Sequence, residues 1–321
     1  MRFLTFDELT PSMDAERLLV HLSTLGGAAD RRSVAVWRRR SNIFAEYVGV
    51  FAVEAGHVVG QTLVKRLPYT FPGGTEVIGA IASVGTRPDR ARAGVARQIL
   101  EEVHRREREA GIRYVALWTN RSWGAHRLYE KLGYRDVYAF PWAVRPPRAI
   151  GNRRHPEIKV RPAHPGDLSE LERLHDRRAA GRIGFCRRPK RLLHTASATG
   201  ELTPQKALIV APARGRIEGY ADLVSTPVRT VCGELVAESL AIRVSLVAAV
   251  ELRAKGTAVA FQHTPVADTP ELFRHRGYAT MTAGWYVLMA GGLDRPMSSR
   301  AAIATFATHD RRFLCLSGDR F

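Results

Sequence analysis

The segment from Val84 to Arg97, VGTRPDRARAGVAR, holds the residue types and spacing best suited to chemistry. An apolar run ends at Val84, Pro88 turns the chain, and Gly94-Val95-Ala96 opens what reads as a helix. The first N–H groups of a helix have no internal partner, and the aligned peptide dipoles add about half a positive charge there, so this turn is built for an anion. Gly94 has no Cβ to hold a phosphate away from the backbone. Val95 and Ala96 supply further N–H groups, Ala93 and Ala96 are small enough for close approach, and Arg90, Arg92 and Arg97 can add charge-assisted bonds. No GK[ST] follows and GxGxxG is absent, so the turn is neither a P-loop nor a dinucleotide fingerprint. Tyr129 is the second candidate: a phenol with an ordinary pKa near 10 stays protonated at neutral pH and can donate. A glycine-opened surface helix and a core tyrosine are the plainer readings of the same residues. Eleven histidines show no H-E-x-x-H or paired spacing, so no metal is assigned. Cys186, Cys232 and Cys315 are too few and too scattered for a disulfide framework or a zinc knuckle, and read as reduced core thiols.

The elements that must position these groups alternate between strand and helix patterns. Phe51 to Val64 reads as a hairpin and Glu76 to Thr86 as a largely apolar, central strand. Val95 to Ala110 follows as an amphipathic helix with Ile99, Leu100 and Val103 on one face and Gly111 as its cap. Tyr114 to Thr119 is a strand, and Ser122 opens a helix that places Ala125, Leu128, Tyr129 and Leu132 together before Gly133. A Pro-, Gly- and Arg-rich stretch, Arg145 to His155, then reads as a linker. The same grammar returns after it. A hairpin is expected over Ala207 to Val224, a central strand over Glu238 to Arg243, a helix over Val244 to Lys255, a strand over Thr257 to Gln262 and a helix from Thr269 to Gly277. Leu128 to Tyr134 (LYEKLGY) and Leu272 to Tyr278 (LFRHRGY) align without a gap, which argues for internal duplication of one α/β unit.

The order strand, P-x5-G-V-A loop, amphipathic helix, strand, then N-R-S-x2-A-x2-LYEKLGY resembles the GNAT acyltransferase superfamily over about Phe51 to Tyr138. The resemblance implies acetyl-CoA as co-substrate, with its diphosphate on Arg92, Ala93, Gly94, Val95, Ala96 and Arg97, and with Arg90 close by. It implies that the pantetheine arm runs beside Val84, Gly85 and Thr86, whose backbone N–H groups would meet the oxyanion, and that Asn120 bonds the arm. Tyr129 would sit near the cofactor sulfur as general acid. Ala91 stands where the family usually has Gln or Arg. In the second copy Phe273 replaces the tyrosine, so that unit reads as a GNAT fold without cofactor chemistry. The tandem arrangement resembles the Eis-type acetyltransferases, in which the terminal carboxylate acts as base; Phe321 would offer that group here. The expected architecture is α/β with mixed sheets: a catalytic domain over 1–146, a linker over 147–156, a degenerate domain over 157–294, and a tail over 295–321 packing on one of the two. Glu54 and Glu76 are candidate bases for an amine acceptor.

Composition frames these expectations. The chain has 321 residues, 45% of them hydrophobic and 25% charged, which excludes wholesale disorder. Its 49 basic and 31 acidic residues give a net charge of +18, spread over both halves of the sequence. Such a field leaves nucleic acid as a competing partner and a CoA-retaining binding protein as a competing function, less favoured than a small-molecule or peptide amine. Asp7 and Glu8 interrupt any leader-like apolar core, and the late apolar run Trp285 to Ala290 is too short to cross a bilayer. A cytoplasmic protein with no membrane partner is expected, and the tail leaves a homo-oligomer open.

Overall fold

The computed structural model describes residues 1–25, 48–147, 158–188, 190–198, 200, 202–254, 256–262, 269–281 and 284–315. The expected linker, apart from its first residue, and the basic stretch Arg31–Arg40 lie outside these. The amino-terminal part contains β1 (Arg2–Leu4), α1 (Pro11–Leu25), β2 (Val48–Glu54), β3 (His57–Phe71), β4 (Gly74–Thr86), α2 (Val95–Glu109), β5 (Tyr114–Asn120), α3 (Gly124–Lys131) and β6 (Arg135–Ala139). The middle contains β7 (Trp142–Arg145), β8 (Arg161–Pro162), α4 (Leu168–Ala179), β9 (Ile183–Gly184), α5 (Leu192–Ala198), α6 (Pro204–Ala207), β10 (Leu208–Ala213), β11 (Arg216–Ser225), β12 (Arg229–Ala237), α7 (Leu240–Arg253), β13 (Ala258–Gln262), α8 (Thr269–His275) and β14 (Ala279–Met281). Last come β15 (Tyr286–Gly292), α9 (Ser299–Phe306) and β16 (Phe313–Leu314).

The described residues divide into two compact units, those of 1–138 with 285–308, and those of 139–284 with 309–315. In the first, the strand order is β1-β2-β3-β4-β5-β15-β6; in the second, it is β8-β10-β11-β12-β13-β7-β14. The two orders are the same pattern. In each, one parallel pair, β4 with β5 and β12 with β13, sits among antiparallel neighbours. The strand beside β5 is β15, from late in the sequence, while the strand beside β13 is β7, from before the linker. The units have exchanged equivalent strands.

This exchange corrects the sequence boundaries. Trp142–Arg145, inside the expected domain 1–146, falls in the second unit, and the first takes up Tyr286–Gly292 instead. The apolar run beginning at Trp285 is therefore a central strand, buried from Val287 to Ala290. The tail divides between the units: α9 belongs to the first, where the Tyr69 hydroxyl donates to the Phe306 carbonyl at 2.5 Å and Thr308 donates to the Val137 carbonyl at 2.6 Å. Leu314 packs on the core of the second. Glu238 to Arg243 is not a strand, because Ser239 caps α7 by accepting the Ile242 N–H; the central strand is β12.

Both units hold a helix tight against the sheet through one glycine. A Cβ at Gly60 on β3 would meet Ile99 and Val95 of α2 at 2.7 and 2.8 Å, and one at Gly219 on β11 would meet Ile242 and Leu246 of α7 at 2.4 and 2.9 Å. The helix can seat only where the strand has no side chain. Among the described residues no helix is long and apolar enough to cross a membrane.

Candidate active site

The parallel pair β4 and β5 shares register from Gly79↔Val115 to Ile81↔Leu117 and no further, although β4 continues to Thr86 and β5 to Asn120. Past Ile81, then, no strand among the described residues lies beside β4 on that side, and its peptide groups there can pair with an extended ligand arm as with an added strand. At the same place β4 bulges. Its antiparallel register to β3 steps from Leu63↔Ala82 to Gln61↔Gly85, so Ser83 and Val84 together face Thr62. Ser83 takes up the extra residue with φ 53°, a left-handed conformation that a side chain adopts at a cost. Val84 and Thr86 are half-buried and Gly85 is buried, where a Cβ would strike Thr24 of α1 at 2.6 Å.

The Gly94 turn follows directly. Pro88–Arg90 makes a short 3-10 turn, Arg92 is left-handed at φ 63°, and Gly94, at φ 81°, is the N-cap of α2. No side chain caps the helix and no acidic residue lies in its first turn, so the N–H groups of Val95, Ala96 and Arg97 point out of an unblocked helix end. Ala93 and Gly94 are exposed, and a Cβ at Gly94 would meet nothing closer than the Gln98 amide at 3.8 Å. Glycine is required here by backbone conformation, not by crowding. The three arginines differ in availability. Arg90 is paired with Glu54, Arg97 bonds Glu101 at 2.8 Å, and only Arg92 has no ion-pair partner among the described residues. Those two ion pairs are solvent-exposed and contribute at most about 1 kcal/mol each, so they hold the two guanidinium groups only weakly.

Tyr129 lies on α3 with 6% of its surface exposed, and among the described residues no group bonds its hydroxyl. Burial, and next the neighbouring Tyr286, push its pKa up to about 12, so the phenol is fully protonated at any physiological pH. Tyr134, five residues on, is the contrasting case: its hydroxyl donates to His104 Nε2 at 2.7 Å. Tyr286 stands on β15 opposite Asn120 in register, and its ring meets Trp123 edge-on at 5.9 Å. Asn120 Oδ1 accepts the Ser122 N–H at 2.9 Å and hydroxyl at 2.8 Å, so Asn120, rather than Ser122, shapes the entry to α3. Its amide N–H groups face no partner among the described residues. The structure therefore brings Val84–Thr86, the Gly94 turn, Asn120 and Tyr129 to the carboxyl-terminal ends of one parallel strand pair, the usual place for a ligand in such a sheet.

Neither acid weighed as a base is placed for it. Glu76 stands at the start of β4, opposite Tyr69, and bonds Arg113; Glu54 ends β2 in its pair with Arg90 beside the anion turn. A polar contact that sequence reasoning missed underlies the bulge: Gln61 Nε2 donates to His21 Nδ1 at 2.8 Å and reaches the Ser83 carbonyl at 3.4 Å. Burial, with Arg17 adding to it, holds His21 below its ordinary pKa and hence neutral. Tyr286 was also missed, because nothing local at Tyr129 announces a strand contributed from the far end of the sequence. Among the described residues no cluster of His, Cys, Asp or Glu could hold a metal.

The second unit repeats the scaffold without the site. Phe273 lies where Tyr129 does, and Tyr278, in the place of Tyr134, donates to Glu251 at 2.9 Å. Two residues separate β12 from α7, so no anion turn exists between them.

Residues 24–137 match a family profile described as an acetyltransferase (GNAT) domain. No curated relative matches the sequence. Among solved structures, a probable N-acyltransferase from Enterococcus faecalis is similar at 11% identity, with a TM-score of 0.65 over 91% of this chain and 73% of that one. Eis1 from Mycobacterium abscessus is similar at 18% identity, with a TM-score of 0.56 over 91% and 73% of the two chains. A tandem GNAT protein from the clavulanic acid biosynthesis pathway is similar at 13% identity, with a TM-score of 0.53 over 92% and 99%. At these identities the likeness is one of fold, and the fold is that of two GNAT units in tandem.

Proposed function

We propose, for a chain that is an acetyltransferase by virtue of the GNAT domain at residues 24–137, that it transfers an acetyl group from acetyl-CoA to a primary amine of a small molecule or peptide by direct attack. The observation that carries this reading is the bulged, locally uncovered β4 edge together with the hydroxyl of the largely buried Tyr129, which no group bonds among the described residues. The diphosphate binds the Gly94 turn through the N–H groups of Val95, Ala96 and Arg97, with Arg92 adding charge. The pantetheine arm lies along Val84–Thr86 and takes an amide hydrogen bond from Asn120. The neutral amine attacks the thioester carbonyl, and the β4 backbone stabilises the oxyanion that forms. As the intermediate collapses, the C–S bond breaks while the C–N bond stays, the nitrogen gives up its extra proton to solvent, and the sulfur leaves as an anion facing Tyr129.

The pKa of Tyr129, about 12, refines the general-acid role. An alkyl thiol has an ordinary pKa of about 8.5, so complete proton transfer from this phenol to the thiolate runs uphill. Tyr129 therefore acts first as a hydrogen-bond donor to developing negative charge on sulfur. The deciding measurement is thiol release from acetyl-CoA by the full chain against a panel of amines and peptides. Turnover with at least one acceptor is expected. No turnover with any of them, together with salt-dependent retention on DNA, would return the chain to the binding-protein reading.

A further inference from the structure

The second unit, which lacks the acyl-transfer site, contains a cavity of its own. It measures about 170 Å³ and opens between α4, the segment 188–193 and β11. That volume is close to an apolar cavity of about 150 Å³ that admits benzene. The floor is built from buried polar groups. Tyr220 and His175 are each 2% exposed; the Tyr220 hydroxyl bonds Glu234, and Arg188 grips the same carboxylate at 2.8 and 3.1 Å. Burial alone would raise the Glu234 carboxyl, but Arg188, with His175 behind it, holds it below the usual range and so ionised. This pair is self-contained and neutral overall.

The charge left over is positive. Of the two carboxylates on the wall, Glu172 accepts the Leu193 N–H at 2.8 Å, and Asp176 sits 3.5 Å from His175 with most of its side chain in solvent. Arg173, Lys190 and Arg191 also line the cavity, and none has an ion-pair partner among the described residues. Lys190 and Arg191 are adjacent in sequence, so one short segment supplies two of these three cations. Between the cations and the floor, Leu171, Leu192 and Leu193 supply apolar surface.

From a cationic rim over an apolar, benzene-sized interior, we infer that the second unit binds a small organic monocarboxylate, with the carboxylate at Arg173 and Arg191 and the apolar body against Leu193 and the Tyr220 ring. Inorganic anions lack the body, and neutral isosteres lack the charge. The site is independent of the acyl-transfer reading, since it shares no residue with it.

The test is isothermal titration of the full chain at low salt with benzoate, benzamide and inorganic phosphate, with and without saturating CoA. Saturable benzoate binding at a Kd of about 1 mM or tighter is expected. Benzamide and phosphate should each bind at least about tenfold more weakly. The double variant Arg173→Ala/Arg191→Ala, both exposed positions, should lose at least about tenfold in affinity with unchanged circular dichroism, and Leu193→Trp should abolish binding by filling the hole. Absence of saturable benzoate binding, equal binding of phosphate or benzamide, persistence in both variants, or displacement by CoA would each overturn the proposal.

Discussion

Tyr129 and Phe273 hold the same place in the two units: each backbone carbonyl accepts the N–H of the tyrosine five residues later at 3.0 Å, and each ring packs edge-on to that tyrosine's. One hydroxyl separates them. In the first unit that oxygen has no partner among the described residues, and in the second it does not exist.

Tyr129→Phe should therefore leave the fold intact, since the second unit tolerates Phe at this position. Loss of a hydrogen-bond donor to the leaving sulfur should lower kcat by about 10²-fold, with little change in KM for acetyl-CoA. Steady-state thiol release checks this. A variant with undiminished kcat would make Tyr129 a packing residue. Because burial holds the phenol near 12, the rate should show no loss from Tyr129 ionisation up to about pH 10.

Gly94 makes a different kind of prediction. At φ 81°, in open space, an alanine meets no clash but must sit left-handed. Gly94→Ala should cost about 1 kcal/mol of stability and raise KM for acetyl-CoA several-fold at nearly constant kcat, because the strained turn relaxes away from the diphosphate. Thermal melts and initial rates separate the two effects.

His104 sets an acid limit. Burial, and then Arg108, hold its pKa down to about 4 from an ordinary 6.5, and as the neutral base it accepts the Tyr134 hydroxyl. The unfolded chain takes up a proton at a higher pH than the folded one does. Stability is therefore complete above about pH 6.5 and falls by about 3 kcal/mol as the pH drops through about 4. His104→Gln keeps an acceptor for Tyr134 but does not titrate; its melting temperature should lack that part of the slope.

Arg145 tests the exchanged strand. It ends β7, lies 3.0 Å from the fully buried Glu251 carboxylate, and stacks over the Tyr278 ring at 4.8 Å. Arg145→Met removes one of the two cations around Glu251 and should destabilise the protein by about 3 kcal/mol in denaturant titration. A loss below about 0.5 kcal/mol would mean that Arg276 alone neutralises the carboxylate.

What sequence revealed and what it hid follow from the range of the interactions involved. The Gly94 turn, the face of α2 and the LYEKLGY helix are written in local spacing, and each stands where periodicity and capping put it. Duplication was visible because LYEKLGY and LFRHRGY align without a gap. The exchange of β7 and β15 left no local mark, since an apolar strand reads identically whichever sheet receives it. The same blindness hid Tyr286 beside Tyr129. Arg90 and Arg97 flank the turn in sequence, yet their carboxylate partners follow from packing and helix pitch. Glu238–Arg243 misled because apolar density alone does not distinguish a strand from the first turn of a buried helix, although Ser239 was the available cap signal.

The pairing of β5 with β15 also has a consequence for biosynthesis. Leu117 waits for Met289, so the edge of β5 stays uncovered while the whole intervening unit is translated. Completion of the first unit thus waits on ribosomal synthesis of β15, and the nascent chain must shield an open, apolar sheet border until that strand emerges.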